Sequence, residues 1–260
     1  PVTLDDTGIR AIAQILRLED ERRWDPAIFE RLADGAEEVR RRAAVAAGRI
    51  GDPAAAGFLA RLLDDDRSPA VRADAAFALG LLGDTSRVVI ASLREAVPPG
   101  WVPVRAPETS LVVEVVHALA KLGTDEARAM VVDALRSAHP GDDEHSRRIA
   151  AEALLGLWRF RDGPGRVNAA IRYVTSPHDA LRWRAAYALM RLGEPDGAQA
   201  LLGLLGDADH RARASAARGL GAELADSAGI GVTARAALTA ALRDRHPHVR
   251  INAVRTLAGY

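Results

Sequence analysis

Apolar residues recur along this chain with the period of an α-helix, and the same helical pattern returns at intervals. In the recurring segments, positions 0, 4, 8 and 11 are apolar with two exceptions, which places them on one stripe of a helix with 3.6 residues per turn. The segments begin at Val39, Val71, Leu111, Ser146, Leu181, Ala212 and Val249. Their spacing, between 31 and 40 residues, predicts a repeat protein.

Signals for helix ends separate these segments. Glycine follows the apolar stripe in four copies, where a helix end favours a left-handed residue: Gly51, Gly83, Gly123 and Gly193. An acidic residue and proline, as at Asp52-Pro53, then suit the start of another amphipathic helix. Each repeat is therefore predicted to be a pair of helices. Since one pair cannot bury its apolar face alone, we expect the pairs to stack.

The repeated segment resembles HEAT repeats, in the short bacterial form associated with phycobilin lyases. The matching residues are Asp66-Arg67-Ser68-Pro69-Ala70-Val71-Arg72, then Ala75-Ala76, Ala78-Leu79-Gly80 and Leu82-Gly83-Asp84. The resemblance covers roughly residues 25–260. It implies an all-α fold, a right-handed α-solenoid (superhelix) of about seven HEAT-like helix pairs, with the Val-Arg helices on its concave face. Residues 16–24 are more weakly similar to the lead-in of HEAT arrays that precede a cyclophilin-type domain in some bacterial peptidyl-prolyl isomerases.

Two ends and one insertion depart from the repeat, although residues 1–260 are predicted to form a single solenoid. Residues 1–24 are predicted to form an N-terminal cap, with a helix from Asp5 to Glu21 whose apolar side carries Ile9, Ile12, Ile15 and Leu16. No such cap follows the last repeat, so we expect the natural protein to continue beyond Tyr260. Residues 97–107 contain four prolines, which predicts an extended loop. Its Trp101 is a candidate binding residue, unless the ring folds back over the solenoid edge.

The phase of the repeats also predicts a binding surface. With position 0 in the core, positions 2, 3, 6 and 10 face outward. They carry nine basic and three acidic residues, although the formal net charge of the chain is zero. Binding surfaces are enriched in aromatic residues and arginine. The predicted concave, basic groove contains Phe77, His117, Lys121, Glu152, Trp183, Arg184, Tyr187, Arg191, Arg218 and Arg255. The alternative is that outward-facing arginine is ordinary in a chain with one lysine.

Two further features are predicted to be structural. Arginine recurs at position 1, where we expect it to bridge aspartates in the turns of adjacent repeats: Arg40, Arg72, Arg147, Arg182, Arg213 and Arg250. Trp158 replaces the usual glycine and is predicted to pack between repeats.

Several functional classes find no support in the sequence. Cysteine is absent, which excludes disulfides, thiol catalysis and cysteine-ligated metals. No phosphate-binding loop or hydrolase motif is present, and we predict no cofactor. Residues 139–145 contain two histidines and three acids, which we interpret as a solvated turn rather than a metal site. Glu114 and Glu152 are expected to approach each other, but without a catalytic role.

The sequence shows neither a membrane-spanning run nor a signal peptide. Because the chain begins at Pro1, we take it to be a processed or trimmed form, cytoplasmic or exported. We predict a monomeric, non-catalytic scaffold that binds an extended or acidic segment of a partner protein in the concave groove. The alternatives are a HEAT-like DNA-binding protein or DNA glycosylase, which would use the basic groove on phosphates, and a bilin chromophore lyase.

Overall fold

The computed structural model describes residues 5–101, 106–138, 143–160 and 162–260, with only the backbone of 106–108. Within these ranges it contains sixteen α-helices and no strand, which confirms the predicted all-α class. The helices are α1 (Asp6–Asp20), α2 (Pro26–Ala33), α3 (Glu37–Ile50), α4 (Ala56–Asp65), α5 (Pro69–Leu82), α6 (Arg87–Glu95), α7 (Ala106–Leu122), α8 (Asp125–Ser137), α9 (Glu144–Gly156), α10 (Arg166–Ile171), α11 (Asp179–Leu192), α12 (Ala198–Leu204), α13 (His210–Gly219), α14 (Ala222–Ser227), α15 (Gly231–Ala241) and α16 (Pro247–Leu257).

Seven successive helix pairs follow α1, and the second helix of each pair carries the repeated motif. Six of these helices begin two residues before the start of the apolar pattern, because their first turns contain polar residues or proline. The exception is α7, which begins at Ala106, inside the predicted insertion. Pro107 then occupies the first helical turn, where proline leaves no hydrogen bond unmade. The extra helix α14 has no counterpart in the predicted repeat.

The chain divides into two compact units, Pro1–Val131 and Val132–Tyr260. In the first unit α1 packs on α3, α3 on α5, and α5 on α7. In the second unit α9 packs on α11, α11 on α13, and α13 on α16. In both units the motif helices therefore stack in chain order, each burying position 0 of its stripe, as the periodicity predicts: Val39, Val71, Leu111, Ser146, Leu181, Ala212 and Val249.

The apolar side of α1 differs from the predicted one. Ile15 and Leu18 are buried, whereas Ile9 is 56% exposed and Leu16 is 48% exposed. The helix packs along α3, so a narrow stripe of side chains one turn apart is enough to fill the contact. The helix itself, from Asp6 to Asp20, lies where the sequence predicted it.

Trp101 belongs to the predicted insertion. Its side chain is buried, with 6% of its surface exposed, and its φ of 60° lies in the left-handed region. It ends a short 3-10 turn that begins at Pro99. The ring therefore folds inward, which agrees with the second of the two alternatives given for Trp101, and its role in binding stays a prediction. Residues 102–105 of the insertion lie outside the described ranges.

Arg40, Arg182 and Arg213 join successive repeats, as predicted for arginine at position 1, whereas Arg72 donates to the carbonyl of Leu63 and Arg250 to carbonyls of the turn before its own helix. Arg40 donates from Nε and Nη2 to both carboxylate oxygens of Asp66, at 2.7 and 3.0 Å, and from Nη1 to the carbonyl of Gly35. Arg182 repeats the fork on Asp207, and Arg213 repeats it on Asp244. Each of these arginines thus holds the turn before its own helix with one nitrogen and the turn before the next motif helix with the other two.

Close approach of neighbouring helices depends on glycine. A Cβ added to Gly80 of α5 would lie 2.8 Å from Cα of Ala118 in α7, and one added to Gly48 would meet Ala78 at the same distance. Real Cβ atoms do not approach backbone so closely, so the helices would have to separate.

Replacing Gly80 by alanine is therefore expected to lower the free energy of unfolding by about 1–3 kcal/mol through overpacking. Alanine would otherwise stabilise a helix interior by up to about 1 kcal/mol relative to glycine. Gly57 of α4 is the matched control, because no atom lies within 4 Å of a Cβ added there. In urea unfolding, Gly80→Ala should lower the free energy of unfolding and Gly57→Ala should raise it. An increase for both variants would show that α5 and α7 can move apart at little cost.

Candidate functional site

The outward face of the first unit brings three predicted site residues together. The ring centroids of Phe77 and His117 are 6.0 Å apart, and Nζ of Lys121 lies 5.3 Å from the centroid of Phe77. Oε2 of Glu114 lies 3.4 Å from Nδ1 of His117. Phe77, His117 and Lys121 are each partly buried.

The basic charge at the outward positions of the first unit is largely compensated by ion pairs. Arg41 donates to Asp74 at 2.7 Å, and both Arg42 and Arg49 bind the carboxylate of Glu19, at 2.8 and 2.9 Å. Burial raises the pKa of Asp74 even though Arg41 donates to it. The sequence count omitted Glu19 because it belongs to α1, outside the repeats.

The second unit keeps its basic charge. Five arginines occupy its outward positions and form no ion pair with any residue in the described ranges: Arg148, Arg184, Arg191, Arg218 and Arg255. The single acid at these positions is Glu152 of α9. Arg218 and Arg255 are exposed, on α13 and α16. A surplus of cations without counter-charges attracts anions, and it falls in this unit alone.

Two of these arginines lie against tryptophan rings. Arg184 places Cζ 4.4 Å from the ring centroid of Trp183, and Arg191 places Cζ 3.7 Å from that of Trp158. A guanidinium that stacks by its flat face keeps the donors at its edge for a carboxylate, and the ring restricts its motion. We call these pairs the Trp183 platform and the Trp158 platform. Tyr187 lies between them along α11 and is partly buried.

The Trp183 platform combines buried, unpartnered donors with two neighbouring cations. Nε1 of Trp183 and Nε of Arg184 are buried, and neither has a hydrogen-bond partner among the described residues. Nη1 of Arg184 donates to the carbonyl of Ala180 at 2.8 Å. Burial, and then the charge of Arg211, lowers the pKa of Arg184 from its ordinary value, while Glu152 acts in the opposite direction. An incoming anion would reduce the repulsion between Arg184 and Arg211.

Sequence reasoning missed Arg211 as part of this site. Its Cζ lies 5.1 Å from the centroid of Trp183, and its guanidinium is held by Asp209 at 2.7 Å. Arg211 lies one residue before position 0 of its repeat, so the repeat pattern did not predict which side of the helix it occupies. Trp158 also differs in detail from its prediction: it contacts Arg191 of the next repeat but stays partly exposed.

Other kinds of site are not seen in the described part of the chain. It contains no cluster of three or more histidine or acidic residues arranged to hold a metal ion; residues 139–142 of the histidine-containing loop lie outside it. Glu114 belongs to the first unit and Glu152 to the second, so their expected approach stays a prediction. None of the described helices combines the length and apolar content needed to cross a bilayer.

Comparison with known families decides what kind of repeat this is. The family described as HEAT repeats matches residues 6–80, 25–106 and 142–221. The chain is a HEAT-repeat protein. The matches cover well over half of its length, in both units, and include the residues of the Trp183 and Trp158 platforms. None of the curated proteins matches this HEAT-repeat chain.

Solved structures agree on the fold. One engineered protein is 19% identical with a TM-score of 0.57, over 89% of this chain and 67% of that one. A second engineered protein is 18% identical with a TM-score of 0.52, over 78% and 95%. The complex of CpcE and CpcF of phycocyanin lyase from Nostoc sp. is 20% identical with a TM-score of 0.45, over 98% and 90%. At such identities the likeness to the two engineered proteins shows the HEAT fold alone.

Proposed function

We propose that this HEAT-repeat protein is a non-catalytic scaffold whose second unit binds an acidic segment of a partner protein. The observation that carries the proposal is the pair of arginines that lie over tryptophan rings, Arg184 and Arg191, which belong to one helix and form no ion pair among the described residues. Rigid helices display these cations, so little ordering is required before a carboxylate binds them. HEAT repeats generally mediate protein interactions, which agrees with this role.

The chemistry of the platforms favours peptide carboxylates. A guanidinium group forms charge-assisted hydrogen bonds with a carboxylate. Tryptophan and tyrosine beside it supply the rigid apolar contact area from which binding hot spots are built. Nothing described in the second unit specifically favours nucleic acid, which becomes an outcome of the test.

The test measures fluorescence anisotropy of a labelled ten-residue glutamate peptide, with a labelled DNA duplex of the same length in a parallel titration. Changing Trp183 and Tyr187 together to alanine should weaken peptide binding by roughly thirtyfold, the effect of losing a hot spot of about 2 kcal/mol. Reversing Arg184 and Arg191 to glutamate should slow association and reduce its dependence on salt. Circular dichroism must accompany the alanine variants, because both rings are partly buried.

Matched controls are charge reversals at exposed arginines that form no ion pair in the described ranges, Arg31 on α2 and Arg235 on α15. They should change peptide affinity little. Greater damage from the controls than from Arg184→Glu and Arg191→Glu would place the binding surface elsewhere and contradict the proposal. Tight DNA binding with weak peptide binding would favour the nucleic-acid alternative instead.

A further inference from the structure

The two platforms have a defined spacing along α11. Arg184 and Arg191 are seven residues apart in one uninterrupted helix, which puts them on the same side with Cα atoms about 10 Å apart. The side chain of Arg184 leans back toward Ala180, to whose carbonyl it donates. Ala180 and Arg191 are separated by about 16 Å of helix rise. The two guanidinium groups are therefore held at levels about 10–16 Å apart along the helix.

An extended peptide matches this spacing at one particular interval. Its residues rise about 3.3 Å each, and alternate side chains point to opposite faces. Residues i and i+4 are thus about 13 Å apart and share a face, with residue i+2 between them on that face. Residues i and i+3 point in opposite directions, so only one of the two acids could reach a platform. Tyr187 lies between the two arginines, where the side chain of residue i+2 would fall.

A helical ligand fits this surface less well. A helix that binds lengthwise buries an apolar stripe in an apolar groove. The large hydrophobic side chains exposed in the described ranges are Ile9, Leu16, Leu81, Val88, Val232, Ile251 and Val254, and none of them belongs to α11. The surface of α11 instead offers arginines and aromatic rings, which suit single side chains of an extended segment.

We propose that the second unit recognises two acidic residues four positions apart in an extended partner segment, with an apolar residue midway between them. This specificity rests on the proposed function and refines it. One carboxylate binds Arg184 at the Trp183 platform, the other binds Arg191 at the Trp158 platform, and the middle side chain contacts the ring of Tyr187.

Three labelled peptides of identical composition and charge test the spacing, each with two glutamates, one leucine and serines elsewhere. The glutamates stand four, three or seven positions apart, and the leucine lies midway in the first. Fluorescence anisotropy at low salt should show that the four-apart peptide binds at least about fivefold more tightly than the three-apart peptide, the effect of one exposed ion pair of about 1 kcal/mol. Because net charge is constant, non-specific attraction cannot produce this difference.

Single variants assign the acids to the platforms. Arg191→Gln should reduce binding of the four-apart peptide to that of the three-apart peptide, and Arg184→Gln should do the same. After either change the four-apart and three-apart peptides should bind with equal affinity, because only one platform then remains. Arg235→Gln is the control and should leave the fivefold preference intact. Both glutamine variants keep a side chain of similar length, and circular dichroism reports whether they fold.

The outcomes separate this inference from the proposed function. Equal affinity for all three peptides, lost on charge reversal at Arg184 and Arg191, would overturn the spacing rule while the acidic-partner function stands. Tightest binding of the seven-apart peptide would show a helical ligand and also overturn it. Binding of no peptide, or binding indifferent to changes at Arg184 and Arg191, would contradict both the spacing rule and the proposed function.

Discussion

Replacing Arg40 by methionine is expected to lower the free energy of unfolding by about 3–5 kcal/mol, because Asp66 would stay buried without its counter-charge. Both side chains are 5% exposed, and their two hydrogen bonds join consecutive repeats. Urea unfolding of the wild type and of Arg40→Met measures the difference. The exposed pair Arg61–Glu30 supplies the control: Arg61→Met should cost no more than about 1 kcal/mol, since both partners are over half exposed.

The same pair predicts how this difference depends on pH. Burial opposes the charge of Asp66, but hydrogen bonds from Arg40 and the backbone of Ser68 outweigh it, so the pKa of Asp66 lies below its ordinary value. At a pH between the pKa of Asp66 in the folded state and its higher pKa in the unfolded state, the unfolded chain binds more protons than the folded one. The stabilisation by the Arg40–Asp66 pair is therefore full above about pH 4 and disappears as the pH falls through the folded-state pKa. The gap between wild type and Arg40→Met should therefore narrow in acid; a constant gap would show that the pair is not ionic.

Truncating Leu79 or Leu189 to alanine is expected to cost about 2–5 kcal/mol each, from lost apolar burial and the cavity that remains. Leu79 is fully buried in α5, and Leu189 is 1% exposed in α11. Because one lies in each compact unit and repeat proteins couple mainly to their neighbours, each change should weaken its own unit first. Thermal melting followed by hydrogen exchange distinguishes the two units.

Leu81 provides the comparison within α5. It is 37% exposed and stands two residues after Leu79, so Leu81→Ala removes the same atoms from a surface position. We expect a cost well under that of Leu79→Ala. A loss below about 1 kcal/mol at both Leu79 and Leu189 would mean that the helical phase derived from the sequence is wrong.

The repeat architecture was predictable because each copy carries the same apolar stripe and similar signals for helix ends. A stripe at positions 0, 4 and 8 can be buried on one helix face only, and glycines such as Gly51 and Gly83 do adopt the left-handed conformation that ends α3 and α5. Seven copies average out the ambiguity of any single one. Parts of the chain that occur once lack this support, which is why the predicted buried side of α1 was wrong and why the sequence left the orientation of Trp101 open.

The sequence predicted which residues of the candidate site share an outward face, but not which contacts they make with residues elsewhere in the chain. Position in the repeat placed Trp183, Arg184 and Tyr187 on one outward face, since helix geometry alone decides that. It could not show that Glu19 neutralises two arginines of the first unit, or that Arg211 reaches Trp183, because both contacts join residues over twenty positions apart. Charge compensation depends on these tertiary neighbours, so the sequence could not show that the unpaired basic charge at the outward positions lies mainly in the second unit.

The forked arginines bear on how such a chain grows during evolution. Each fork is directional. The arginine belongs to the motif helix of one repeat, and its aspartate lies in the turn before the motif helix of the next repeat, as in Arg182–Asp207 and Arg213–Asp244. A tandem gene duplication of one whole repeat would bring along both an arginine for its successor and an aspartate for its predecessor. The new copy would find partners on either side at once. Lengthening by whole repeats therefore breaks no existing fork, whereas inserting half a repeat would leave a buried charge on each side of the junction.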